Sequence, residues 1–197
     1  MKAFLLHIAG EAATATRDHL ENFGWDVEMF EGFDNKNKWS LRTNHTYDLD
    51  DPDADYRIGP TETGNILAHW VLWRALEHFG QDDHYHIMES DVRLRVGWAR
   101  QLGVAMRNLP ENWDMLYPGS CCKHPEEDLH VAENLYKGAP LCTHYYVVRH
   151  KALRTLIDTN SSAWGPIDIQ IQQGSAPKLD VYTILPRLAD QYNTVID

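Results

Sequence analysis

Residues 84–94 read HYHIMESDVRL. An apolar run through Ile87 and Met88 gives way to Glu89, Ser90 and Asp91, and Val92 is apolar again. Two carboxylates spaced i, i+2 are hard oxygen donors that suit Mg²⁺ or Mn²⁺, and such an ion in turn suits a phosphate. Open parallel α/β sheets bring ligand-binding side chains to the C-terminal ends of their strands. A strand over 84–88 would therefore deliver Glu89 and Asp91 to one crevice if the chain turns there. Spacing alone also describes a solvated turn, so both readings stand at this point. His84 and His86 share one face of such a strand, where a buried, hydrogen-bonded role is expected ahead of a ligand role. Asp51, Asp53, Asp55 and Glu62 have the ligand spacing of a calcium-binding loop, but Tyr56 stands where that loop needs glycine for its turn. A solvated acidic loop is expected there instead.

The elements that would position these carboxylates can be read from periodicity. Residues 3–9 read as a buried strand, 11–23 as a helix stopped by Gly24, and the alternating WDVEMFEGF from 25 as a second strand. Strand, helix and strand within about 30 residues indicate a parallel α/β unit. Residues 34–61 are polar and irregular. Residues 62–79 carry apolar side chains at helical spacing, with Gly80 as the stop. Residues 95–108 read as a further helix, 112–119 and 141–150 as strands, and 151–160 as a short helix. Residues 120–140 form a second long irregular segment, and PIDIQIQQG opens either a helix or an extended piece. No internal repeat or low-complexity tract appears, and one domain over 1–197 is expected.

Composition narrows the class. The chain has 197 residues, 43% hydrophobic and 24% charged, which fits a folded globular domain with a real core. A formal charge of −11 argues against duplex nucleic acid or an anionic membrane as partner, because both need a basic face. No apolar run approaches the about 18 residues of a membrane span. The N-terminal apolar run is short and lacks a small-residue cleavage site, so it reads as a strand rather than a leader. The three cysteines, 121, 122 and 142, are odd in number and include an adjacent pair. That count argues against a disulfide framework and for a reducing, cytoplasmic setting.

The succession ETGNILAHWVLWRAL, HYHIMESDV and LPENWDMLYPG resembles glycosyltransferase family 25, which includes lipopolysaccharide and collagen galactosyltransferases. Glu62, Gly64 and His69 match that family's helix start, while Thr61, Asn65 and Ala68 depart from it. Glu89, Asp91 and Val92 match its Glu-Asp-Asp-Val strand end, with Ser90 replacing the middle Asp. Trp113, Asp114, Tyr117 and Gly119 match a later strand; Thr143, Tyr146, Asp168 of PID, Pro186 and Gln191 match further segments. The opening stretch fits through Arg17 and Asp34.

The resemblance implies a single Rossmann-like nucleotide-diphospho-sugar transferase domain of the GT-A type, α/β in class, with a mostly parallel central sheet. It implies transfer of a hexose, galactose favoured, from a UDP-sugar to a hydroxyl of a glycan or protein acceptor, with inversion and with Mn²⁺ or Mg²⁺. Asp91 would hold the metal, and Glu89 would join it or contact the donor. Arg17, Asp34, Glu62, His69 and Gln191 would bind the donor. Asp168 would serve as general base or complete the metal shell; alternatively it is a carboxylate favoured at a helix start. Trp164 could stack on an acceptor sugar or simply pack. His144 falls where the family varies. A catalytically inactive binding relative and a metal-dependent phosphoesterase remain as alternatives.

Overall fold

The computed structural model describes residues 1–7, 11–33, 41–42, 57–121 and 129–191. Along these lie β1 (Lys2–His7), α1 (Glu11–Asn22), β2 (Asp26–Glu31), β3 (Leu41–Arg42), β4 (Arg57–Ile58), α2 (Pro60–Phe79), β5 (His84–Glu89) and β6 (Val92–Leu94). There follow α3 (Trp98–Asn108), β7 (Met115–Tyr117), β8 (His130–Ala132), β9 (Leu135–Lys137), β10 (Tyr145–Arg149), α4 (His150–Thr159), α5 (Ile167–Gln170), β11 (Val181–Ile184) and β12 (Ala189–Gln191). Asp34 and the Asp51–Asp55 stretch lie outside the described residues.

Eight strands form one sheet in the order β2-β1-β5-β10-β7-β11-β9-β8. The β2–β1–β5 half is parallel, as is the β7–β11 pair. β10 runs against both β5 and β7, and β9 against β11 and β8, so the sheet is mixed rather than uniformly parallel. A hydrophobic strand pattern carries no direction, which is why β10 was legible as a strand and not as a reversed one.

Period-two alternation splits the core into two layers. Phe4, Leu6, Tyr85, Ile87, Tyr146 and Val148 face α2, α4 and α5, where Leu72, Trp73, Leu153 and Leu156 are buried. Ala3, Leu5, Met88, Tyr145 and Val147 face α1 and α3, where Leu20, Trp98 and Leu102 are buried. His86 belongs to this second face: its Nδ1 lies 3.0 Å from the Tyr145 hydroxyl and its ring meets Trp25 edge-on. It is a core histidine, as expected.

α2 starts two residues before its expected position, with Pro60 inside its first turn. The Glu62 carboxylate accepts the Gly59 N–H at 2.7 Å, half of a capping box. At the far end the Gly80 N–H bonds Leu76 O at 2.9 Å. α3 starts three residues later than expected: the Arg95 N–H bonds Leu188 O at 2.9 Å, and Gly97 stands at φ 82° as the N-cap. Within the segment read as irregular, 130–137 form the β8–β9 hairpin. PIDIQIQQG opens as a helix that widens into a π turn at Ile171–Ser175.

The expectation of free cysteines is overturned. Cys121 and Cys142 form a disulfide across a sequence separation of 21, with Cα atoms 5.7 Å apart. An odd count and an adjacent pair restrict local pairing only; they leave a long-range partner open. The bond removes the ground on which a reducing compartment was read. No helix among the described residues is long and apolar enough to cross a membrane.

Candidate active site

β5 does end in the crevice, and the chain turns there at Ser90–Asp91. Side-chain parity puts Glu89 with Tyr85 and Ile87 on the α2 face, away from His84 and His86. Three donors converge on one oxygen of Glu89. His69 Nε2 lies 3.0 Å from Oε1, Thr143 Oγ1 donates at 2.7 Å, and Asn65 Nδ2 donates at 3.4 Å. Burial alone would push the Glu89 pKa up; these donors outweigh it and hold the carboxyl below its ordinary value. Glu89 is therefore a fixed anion with Oε2 left for a ligand.

His69 is fully buried in α2. Its Nδ1 lies 2.9 Å from the Tyr146 hydroxyl, which accepts the Trp73 indole N–H at 2.8 Å. The Glu89 carboxylate only accepts, so Nε2 carries the proton of the neutral imidazole, and Nδ1 accepts from the Tyr146 hydroxyl. A chain Trp73–Tyr146–His69–Glu89 thus runs from the core to the cleft.

Asp91 sits in a different environment. Its Oδ2 accepts Gln191 Nε2 at 3.4 Å, and its Oδ1 is buried with no partner among the described residues. Burial first, and the charge of Glu89 second, push its pKa up to about 6. An orphaned carboxylate oxygen beside a second, fixed carboxylate is a donor set that fits a hard divalent cation, which would favour the ionised form again. α1 secures the turn: Thr16 donates to Ser90 O and accepts Arg93 Nη1 at 2.6 Å.

Two cavities adjoin at Glu89. One, of about 260 Å³, lies over the C-terminal ends of β1 and β2 and takes in His7, Gly32, Phe33, Glu62, Asn65 and Asp91. A side chain at Gly32 would be tight: a Cβ there would stand 3.1 Å from Ala68 Cβ and 3.4 Å from His7 O. Phe33 is 43% exposed at this site, an apolar face open to a ligand. The other cavity, of about 150 Å³, takes in Glu62, Asn65, Cys142, Thr143, Asp168 and Gln191. Asp168 Oδ2 accepts the Cys142 N–H at 3.1 Å and Oδ1 the Ile169 N–H at 2.9 Å. Its position at the start of α5 serves the helix as well as the cavity.

The structure thus brings Glu62, His69, Glu89, Asp91, Asp168 and Gln191 together. Arg17 is not among them: it pairs with Asp18 at 2.8 Å and Glu21 at 3.9 Å on α1 and lines neither cavity. Trp164 lies by the π turn, 3.5 Å from where a Cβ on Gly174 would stand, and lines neither cavity. Asp114 has a structural task, accepting the Asp180 N–H at 2.9 Å and pairing with Lys151. Sequence reasoning gave no role to Asn65, Phe33, Thr16 or Thr143. Thr143 carried a signal, as a matched position ahead of a strand; Thr16 carried none beyond its place beside Arg17.

No family model matches this chain, and no curated protein matches it either. Solved structures do. A glycosyltransferase involved in glycosylation of the major capsid of PBCV-1 aligns with TM-score 0.57 and 10% identity, covering 99% of this chain and 94% of that one. A protein from STIV aligns with TM-score 0.53 and 10% identity, covering 99% and 86%. At that identity the likeness is one of fold. The narrower resemblance to family 25 rests on the motifs alone.

Proposed function

We propose that the chain is a GT-A-type glycosyltransferase that moves a hexose from a UDP-sugar to a hydroxyl on a glycan or protein acceptor, with inversion. The observation that carries this reading is Glu89, a carboxylate fixed by three donors where two cavities meet, together with Asp91 in the larger cavity, whose buried oxygen has no partner among the described residues. The fold shared with a glycosyltransferase structure supports it.

The cavity over β1 and β2 would take the nucleotide, with the base against Phe33. Asp91 and Glu89 would hold Mn²⁺ or Mg²⁺, which when bound supplies Lewis-acid stabilisation of the departing diphosphate. The His69–Tyr146–Trp73 chain keeps Glu89 oriented. Gln191 steadies Asp91. The acceptor hydroxyl enters from the Asp168 cavity and attacks the anomeric carbon opposite the diphosphate; its proton passes to the Asp168 carboxylate. Two backbone N–H groups hold that carboxylate in place. The acceptor oxygen–carbon bond forms as the carbon–oxygen bond to UDP breaks.

The test offers purified protein a panel of nucleotide sugars with Mn²⁺ and follows released nucleotide and thermal stability. Release of UDP from one donor in the presence of an acceptor, abolished by chelation, is the expected result. Stabilisation without release would point to a binding protein, and monophosphate release to a phosphoesterase. Absence of both release and stabilisation across the panel overturns the proposal.

A further inference from the structure

Against the smaller cavity lies a cluster whose sulfur and imidazole atoms the transfer reaction does not use. One ligand atom each from Cys121, Cys142 and His144 lie within 4.8 Å of one another. His144 is 1% exposed, and its Nδ1 is buried without a partner among the described residues. Its Nε2 lies 3.3 Å from Ala189 O. A carbonyl only accepts, so the proton is on Nε2 and the lone pair on Nδ1. This is the arrangement of a metal-binding imidazole, whose second nitrogen donates to a backbone carbonyl that fixes the tautomer and the ring plane. Gln191 Oε1 stands 3.8 Å from the Cys121 sulfur.

We propose that the reduced form of this protein binds Zn²⁺ through the thiolates of Cys121 and Cys142 and the imidazole of His144, in place of the disulfide. Two thiolates and a neutral imidazole are the donors zinc prefers, with the fourth position left to water or Gln191. A cellular thiol reductant supplies the two electrons that open the disulfide and is itself oxidised to a disulfide. Zn²⁺ then displaces the two thiol protons, which pass to solvent. The separation of the sulfurs needs only to grow from a bond to a shared coordination sphere, in a frame whose Cα atoms are already 5.7 Å apart. The site is distinct from Glu89 and Asp91 in its donors and does not depend on the transfer reaction.

The experiment uses the full chain reduced with a phosphine, which takes up oxygen from water as the disulfide gains two protons and does not compete as a thiol. Co²⁺ is titrated anaerobically and then displaced by Zn²⁺. The expected result is one equivalent with a thiolate-to-cobalt charge-transfer band, retained in Cys122→Ser, lost in Cys142→Ser, and weakened at least about tenfold in His144→Ala. The oxidised protein should show no band. Circular dichroism on each variant reports its fold, and Cys121→Ser provides a second ligand deletion should His144→Ala unfold. Lack of a band in the folded reduced protein, loss of the band in Cys122→Ser, or unchanged affinity in folded His144→Ala overturns the proposal.

Discussion

Replacing Asp91 by Asn separates the cost of the proposed metal site from its use. In the folded chain the Asp91 carboxyl is pushed from its ordinary value of 3.8 up to about 6. The native state therefore holds a proton there that the unfolded chain gives up, and stability falls as pH rises from about 4 to about 6. Above that window the whole loss is present. A shift of this size corresponds to about 3 kcal/mol; partial access of water to the side chain reduces it to about 1–2 kcal/mol. Asn keeps the shape and an acceptor for Gln191 but carries no charge. Without metal at about pH 7.5, Asp91→Asn should therefore melt roughly 2–8 °C higher than wild type. At about pH 4, where the unfolded chain also keeps much of its proton, that gain should shrink to a minor part. Mn²⁺ should raise the wild-type Tm and leave the variant unmoved. Differential scanning fluorimetry at both pH values, with and without Mn²⁺, reads all four conditions. A variant less stable than wild type at pH 7.5, or one still stabilised by Mn²⁺, would refute the reasoning.

Other consequences are as direct. Tyr146→Phe strands the Trp73 N–H and the His69 Nδ1 in the core, and urea denaturation should show a loss of about 1–3 kcal/mol. Gly119→Ala would put a Cβ 2.5 Å from His144 Nε2 and 3.1 Å from Tyr145 Cβ; overpacking at such a site costs about 1–3 kcal/mol, read as a lower denaturation midpoint. Asp168→Asn should depress kcat by roughly 100-fold or more while donor KM stays near wild type, the signature of a lost base rather than lost binding. Equal rates in Asp168→Asn would remove that role.

Much of the site was legible because it sits where apolar runs end. Tyr85, Ile87 and Met88 mark β5 as buried, and the abrupt acidity at Glu89 marks its end. The spacing in 62–79 places His69 on an apolar side of α2. What stayed hidden depends on contacts distant in sequence. Nothing local to Cys121 or Cys142 announces their bond. Thr16 reaches Ser90 across 74 residues of chain, and neighbours of that kind leave no periodic trace. The β8–β9 hairpin was obscured by short strands with mainly exposed side chains, and β11 by having only four residues. Direction within the sheet depends on how connections pass over it, which the pattern of each strand does not carry.

The reversal of β10 has a consequence for how this crevice is built. Because β10 runs against β5, the beginning of one strand lies beside the end of the other, with Tyr145 opposite Met88. Thr143 thus arrives at Glu89 from a stretch of polypeptide that is only just entering the sheet, while Glu89 belongs to one that is leaving it. The two walls of the cleft are therefore inherited from separate connections. The approach to Thr143 can lengthen, shorten or change its chemistry, and the departure at Glu89 need not be redrawn.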